Sequence, residues 1–85
     1  MSAKVILHQQ AEKDLKKLPK NVLKATWRAL ELLEENPLAG LPLRGELEGK
    51  RKYRVGDWRI IYQFLTKEKT IIIFKIESRG QVYKK

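Results

Sequence analysis

Positive side chains fall at strand spacing in the second half of this chain. Lys50, Lys52 and Arg54 alternate ahead of a Gly56-Asp57 turn, Arg59 follows it, and Arg79 and Tyr83 come later. All lie in or beside apolar runs that read as β-strands. If those strands are neighbours, cations converge on one sheet face with a phenol nearby. Such a surface suits a phosphodiester, and the smallest chemistry open to it is the cutting of RNA. The substrate brings its own nucleophile, the 2′-OH. The protein must then deprotonate that hydroxyl, stabilise the charged phosphorane-like transition state and protonate the leaving 5′-oxygen.

The middle task is electrostatic and suits arginine, whose planar fork makes paired charge-assisted bonds to phosphate oxygens. Arg59 is the first candidate and Arg79 the second. Arg54, Lys50 and Lys52 can hold flanking phosphates or share the task. Proton transfer is less legible, because arginine does not ordinarily deprotonate. Nearby positive charge favours the phenolate of Tyr83. Lys50 and Lys52 are alternative bases, and Glu77 is a base or a group that orients Arg59 or Arg79. His8, the single imidazole, reads more simply as a strand-end histidine. No acid–base pair stands out, so substrate positioning by a partner would have to supply part of the rate. The bland reading is that Lys50 and Lys52 only solvate a sheet face and that Tyr83 only anchors the tail.

The elements that must position these residues follow from periodicity. Residues 4–8 read as a first strand. Residues 11–18 carry Ala11, Leu15 and Leu18 at helical spacing, and Pro19 stops that helix. Lys20–Glu35 reads as a second helix with a broad apolar side, closed by Asn36-Pro37. The short link between them predicts an antiparallel helix hairpin. Residues 38–49 are irregular, with Gly40, Gly45 and Gly49, and Leu38, Leu41, Leu43 and Leu47 should pin this stretch to the body. Residues 50–55, Trp58–Leu65 and residues 70–77 are three further strands. The expected fold is α+β in the order β-α-α-β-β-β. The helix hairpin covers one face of a small, mostly antiparallel four-stranded sheet. Alternation puts Trp58, Ile60, Tyr62 and Phe64 under the helices and Arg59 on the open face with Lys50, Lys52 and Arg54. In the last strand it assigns Ile72, Phe74 and Ile76 to one face, and Ile71, Ile73, Lys75 and Glu77 to the other. Trp27 and Trp58 read as core.

Composition bounds the rest. Eighty-five residues form one domain, 1–85. There are no cysteines and one histidine, so neither a disulfide nor a metal centre is expected, and no cofactor is implied. No signal-like or membrane-spanning apolar run stands out, which makes the cytoplasm the expected location. Nineteen Lys and Arg against ten Asp and Glu give a net charge of +9. That points to a phosphate backbone, to an acidic protein partner, or to solubility alone.

Five segments together resemble the RelE/ParE superfamily of toxins from type II toxin–antitoxin pairs. They are A-E-K-D-L-K-K-L-P at residues 11–19, N-P at 36–37, L-x-G-E-L-x-G at 43–49, Y-R-V-G-D-W-R-I-I-Y at 53–62 and S-R-G-Q-V-Y at 78–83. Each is weak alone; their order and spacing carry the resemblance over nearly the whole chain. It implies, on its RelE-like branch, a ribosome-dependent mRNA endoribonuclease that inhibits translation and works without a metal. By that similarity Arg59 matches the arginine at the reacting phosphate and Arg54 a basic residue before the hairpin. Lys50 and Lys52 match lysines with base or charge-stabilising roles, Arg79 a common terminal arginine, and Tyr83 the tyrosine that stacks on or orients the nucleotide. Glu77 departs from active relatives that carry a basic residue or histidine there; Lys75, on the same face, is the compensating RNA-binding cation. The resemblance also implies a cognate antitoxin, a ribosome with bound mRNA, operator DNA reached indirectly through the antitoxin, and no membrane. The alternatives are a ParE-like toxin that inhibits DNA gyrase without cutting RNA, and a weakly active or inactive homologue.

Overall fold

The computed structural model describes residues 3–78. Strand β1 (Lys4–Leu7) leads into helix α1 (Gln9–Lys17) and helix α2 (Lys20–Glu35). A two-residue strand β2 (Leu41–Pro42) and a 3-10 turn at Gly45–Leu47 precede β3 (Arg51–Val55), β4 (Trp58–Leu65) and β5 (Thr70–Ser78). The sheet order is β1-β5-β4-β3-β2, with β1 parallel to β5 and every other pair antiparallel. The expected class holds with one correction to the sheet, which has five strands and not four. The added strand is a two-residue pairing, Leu41 to Lys52 and Pro42 to Arg51, too short and too Pro-rich for alternation to reveal.

The local chemistry explains the element ends. His8 belongs to the start of α1 and not to β1: its Nδ1 accepts the Gln10 N–H at 3.1 Å, which satisfies one of the orphan donors of the first turn. Pro19 separates the helices. Helix α1 packs on β5 and β1, and α2 on β3 and β1. Ala11 and Leu15 of α1 and Ala29, Leu30 and Leu33 of α2 share one core with Ile60, Tyr62, Ile71, Ile73 and Ile76. A fully buried Leu or Ile stabilises by about 1.5–3 kcal/mol, so this short list supplies most of the apolar driving force. The β3–β4 turn is Gly56-Asp57, with Gly56 at φ +62°. Positive φ at the first central residue is what a type II′ hairpin requires, which accounts for the order Gly-Asp.

Three expectations fail. The leucines of residues 38–49 do not pin that stretch: Leu38 is 59% and Leu41 65% exposed. Polar bonds hold it instead. The Tyr62 hydroxyl donates to the Pro37 carbonyl (2.7 Å) and accepts the Gly40 N–H (2.9 Å), and Arg51 Nη1 donates to the Gly40 carbonyl (2.7 Å). Trp27 is not core; it is 48% exposed. The alternation of β5 breaks as well. Ile61 pairs with Lys75 but Tyr62 pairs with Ile73, so Phe74 is an extra residue, a β-bulge. Ile71 and Ile73 therefore share the helix-covered face with Ile76.

Candidate active site: a charged row on the open sheet face

The bulge decides which side chains reach the open face. With Ile71 and Ile73 inward, strict period two would carry Lys75 and Glu77 beneath the helices. The extra residue reverses the phase, so Lys75 stands opposite Ile61 and Glu77 opposite Arg59. Helix α1 holds this irregularity in place. Asp14 Oδ2 accepts the Ile76 N–H at 2.9 Å, and Oδ1 accepts the Gln10 side-chain N–H at 2.8 Å. A bulge leaves a ladder group unpaired, and here a carboxylate from the helical layer takes it.

Three strands then line up one polar row. Arg54 is opposite Arg59, and Arg59 is opposite Glu77. Arg59 Nε donates to Glu77 Oε2 at 2.7 Å, and Nη2 lies 2.5 Å from the same oxygen. Lys75 Nζ lies 3.3 Å from the other oxygen, Oε1. Arg54 is exposed and its Nε donates to the Gly56 carbonyl at 3.2 Å, which folds the side chain over the hairpin turn. The next row is Lys52, Ile61 and Lys75. Ile61 is buried although it faces away from the helices, between two lysines whose stems can cover it.

A cleft of about 490 Å³ opens beside these rows. Lys52, Arg54 and Arg59 line it from the sheet, Asp57 from the hairpin turn, and Gly40 and Leu41 from the loop before β3. Gly40 is there by necessity: a Cβ at this position would lie 2.7 Å from the Lys52 carbonyl and 2.7 Å from the Tyr62 hydroxyl. Burial raises the Tyr62 phenol above its ordinary value, against smaller opposing effects of the Gly40 N–H and of Arg51.

The structure thus brings together Lys52, Arg54, Arg59, Lys75 and Glu77. Lys50, just before β3, has its ammonium over the Phe74 ring, 4.8 Å from the ring centre, and the His8 ring centre lies 5.9 Å from that of Phe74. Arg79 and Tyr83 lie outside the described residues. Sequence reasoning missed Asp14, Gly40 and the Arg51–Tyr62 pair. Asp14 carried a faint signal, since it sits at the edge of the Ala11–Leu15 stripe rather than opposite it. Among the described residues no cluster of acidic or imidazole groups could hold a metal ion, and no helix is long and apolar enough to cross a membrane.

The family model for the ParE toxin of type II toxin–antitoxin systems matches residues 5–83. The chain belongs to this RelE/ParE toxin superfamily. Toxin RelG of Mycobacterium tuberculosis is 35% identical over 77 residues, covering 88% of each chain. The toxin–antitoxin complex RelBE2 from the same organism contains a chain with TM-score 0.86 and 33% identity, aligned over 93% of this toxin and 100% of that chain. The archaeal RelE–RelB complex of Pyrococcus horikoshii gives TM-score 0.77 and 32% identity, over 95% and 99%. The toxin fold here is therefore that of RelE-like proteins.

Proposed function

We propose that this toxin is a ribosome-dependent mRNA endoribonuclease that acts from the cytoplasm to inhibit translation. The observation that carries the reading is the open-face row in which Arg59 is fixed beside Arg54 at the edge of a cleft. In this mechanism the 2′-oxygen of the message attacks the adjacent phosphorus. The 2′-O–P bond forms and the P–O5′ bond breaks, leaving a 2′,3′-cyclic phosphate and a 5′-hydroxyl. Arg59 binds the phosphorane oxygens as charge develops on them, and Arg54 and Lys52 hold neighbouring phosphates. Lys75 and Lys50 extend the RNA track. Lys52 as the free amine or Tyr83 as the phenolate accepts the 2′-proton, solvent water gives the departing 5′-oxygen its proton, and Arg79 adds charge from the sequence after β5. The ribosome supplies the aligned substrate that a site with no dedicated acid–base pair needs. A cognate antitoxin, acidic or amphipathic, neutralises the +9 chain and connects it indirectly to operator DNA; the RelE-like relatives in antitoxin complexes support that partner.

A second reading has its own support, because the matching family model is that of ParE: a toxin that inhibits DNA gyrase and spares RNA. One pair of assays separates the two. A defined message is incubated with the toxin, with and without programmed ribosomes, and gyrase supercoiling is measured in parallel. Cuts only on ribosomes establish the nuclease; intact message with inhibited supercoiling replaces it with the gyrase reading.

A further inference from the structure

Glu77 is the acidic member of a cationic site, and its geometry gives it a definite task. One oxygen, Oε2, receives Arg59 through Nε and Nη2. A guanidinium has five N–H donors in a rigid plane. Glu77 occupies the long edge that runs along Nε and Nη2. The terminal edge, formed by Nη1 and the outer hydrogen of Nη2, has no partner among the described residues. That terminal edge can still form the paired bonds a phosphate accepts. Among the described residues Arg59 is thus gripped from the side and left open at the end, with its side chain 32% exposed against 18% for Glu77.

The grip also solves a problem created by the sheet. Arg54 and Arg59 are directly opposite each other, and like charges in that relation repel. Unrestrained, Arg59 would swing toward solvent and lose its aim. Glu77 on the other side of the row holds it flat, and its second oxygen is itself steadied by Lys75 at 3.3 Å. The bulge at Phe74, clasped by Asp14, is what delivers the carboxylate to this face. A carboxylate beside an arginine could instead act as a phosphate mimic that blocks it. The side-on geometry speaks against that, since a phosphate can join at the terminal edge without displacing Oε2.

We infer that Glu77 is a positioning residue for Arg59, holding the guanidinium so that its terminal edge meets the scissile phosphate; this rests on the nuclease reading above. Glu77→Gln tests it by two measurements with opposite expected signs. Single-turnover cleavage on programmed ribosomes at saturating toxin should fall about 10- to 100-fold, because the arginine loses its fixed aim. Affinity for a short single-stranded RNA should rise, because one negative charge has left the face. If both rise, Glu77 is a brake and the proposal is wrong. If both fall together with thermal stability, its role is only structural and the proposal is again wrong. Glu77→Asp, which keeps the charge but shortens the reach, should retain an intermediate rate and stands in should the Gln variant fold poorly. A readout free of catalysis completes the test: the Arg59 Nε–H resonance in NMR should be protected from solvent exchange in the parent toxin and lose that protection in Glu77→Gln. A parent toxin that leaves messages intact would defeat the nuclease reading, while this resonance would still report whether Glu77 grips Arg59. An unprotected resonance in the parent would defeat the positioning role alone.

Discussion

Two arginines on this sheet are used in opposite ways. Arg51, on the side of Tyr62, donates from Nη1 to the carbonyls of Gly40 (2.7 Å) and Leu38 (3.5 Å). Tyr62 is fully buried and its hydroxyl both donates to Pro37 and accepts from Gly40. That cluster closes on backbone groups, so it can only hold the loop in place. Arg59, on the other face, meets a carboxylate along one edge and keeps the rest of its fork for something else. Partner type thus separates architecture from chemistry more clearly than residue type does. A cation satisfied by neutral carbonyls is structural, whereas a cation steadied by one anion and left with free donors is poised for another.

Substitutions can break this contrast, beginning with the largest expected effect. Arg59→Ala should lower cleavage on programmed ribosomes by about 10²–10³-fold, with a melting temperature close to that of the parent. Equal losses from Arg59→Ala and Lys16→Ala would mean that a different surface acts. Tyr62→Phe should do the reverse, with a stability loss of about 1–3 kcal/mol in urea unfolding and near-normal cleavage per folded molecule, because the Gly40 N–H is left buried and unpaired. The same variant carries a pH signature. Tyr62 has its phenol raised above 10.0 in the fold, so its neutral form is favoured there. Its contribution is complete below the unfolded value and is lost as pH rises from about 10 through the folded one. Alkaline unfolding should therefore be shallower in Tyr62→Phe than in the parent.

Asp14→Asn sharpens the contrast from a third side. It weakens the clasp on the Ile76 N–H, and should cost about 1–2 kcal/mol and also slow cleavage, since the phase of Lys75 and Glu77 depends on the bulge. A variant that loses stability but cleaves normally would show that the bulge persists without its clasp. The smallest effect should come from Thr26→Val. The Thr26 hydroxyl is buried in α2 without a hydrogen-bond partner among the described residues, so a methyl in its place should stabilise by up to about 1 kcal/mol and leave the open face untouched.

The legible parts were those carried by local periodicity. Leu15, Ala29 and Leu33 mark the helices, the Gly56-Asp57 turn marks the hairpin, and alternation from Trp58 puts Arg59 on the open face. Alternation failed in β5 because a bulge inserts one residue without a sequence signal of its own; Phe74 is as apolar as its neighbours. The loop before β3 misled for a different reason. Its leucines suggested burial, yet its start is held by Arg51 and Tyr62, which bond to groups 11 to 25 positions earlier in the chain, and long-range polar bonds leave no periodic trace. For Glu77 the sequence left two readings, a base or a group that orients Arg59 or Arg79, and the strand register sets it opposite Arg59.

The parallel pairing of β1 with β5 has a temporal consequence. Lys4 lies opposite Thr70 and Leu7 opposite Ile73, so β5 is made after β1, both helices and the β3–β4 hairpin, and pairs with a strand far back in the chain. Contacts of such separation close slowly, after local helices and hairpins have formed. Until β5 docks, Glu77 is missing from its row and Arg59 has nothing to grip it. A nascent chain therefore carries the cations before it carries their geometry, and newly made toxin should stay inert until folding is complete.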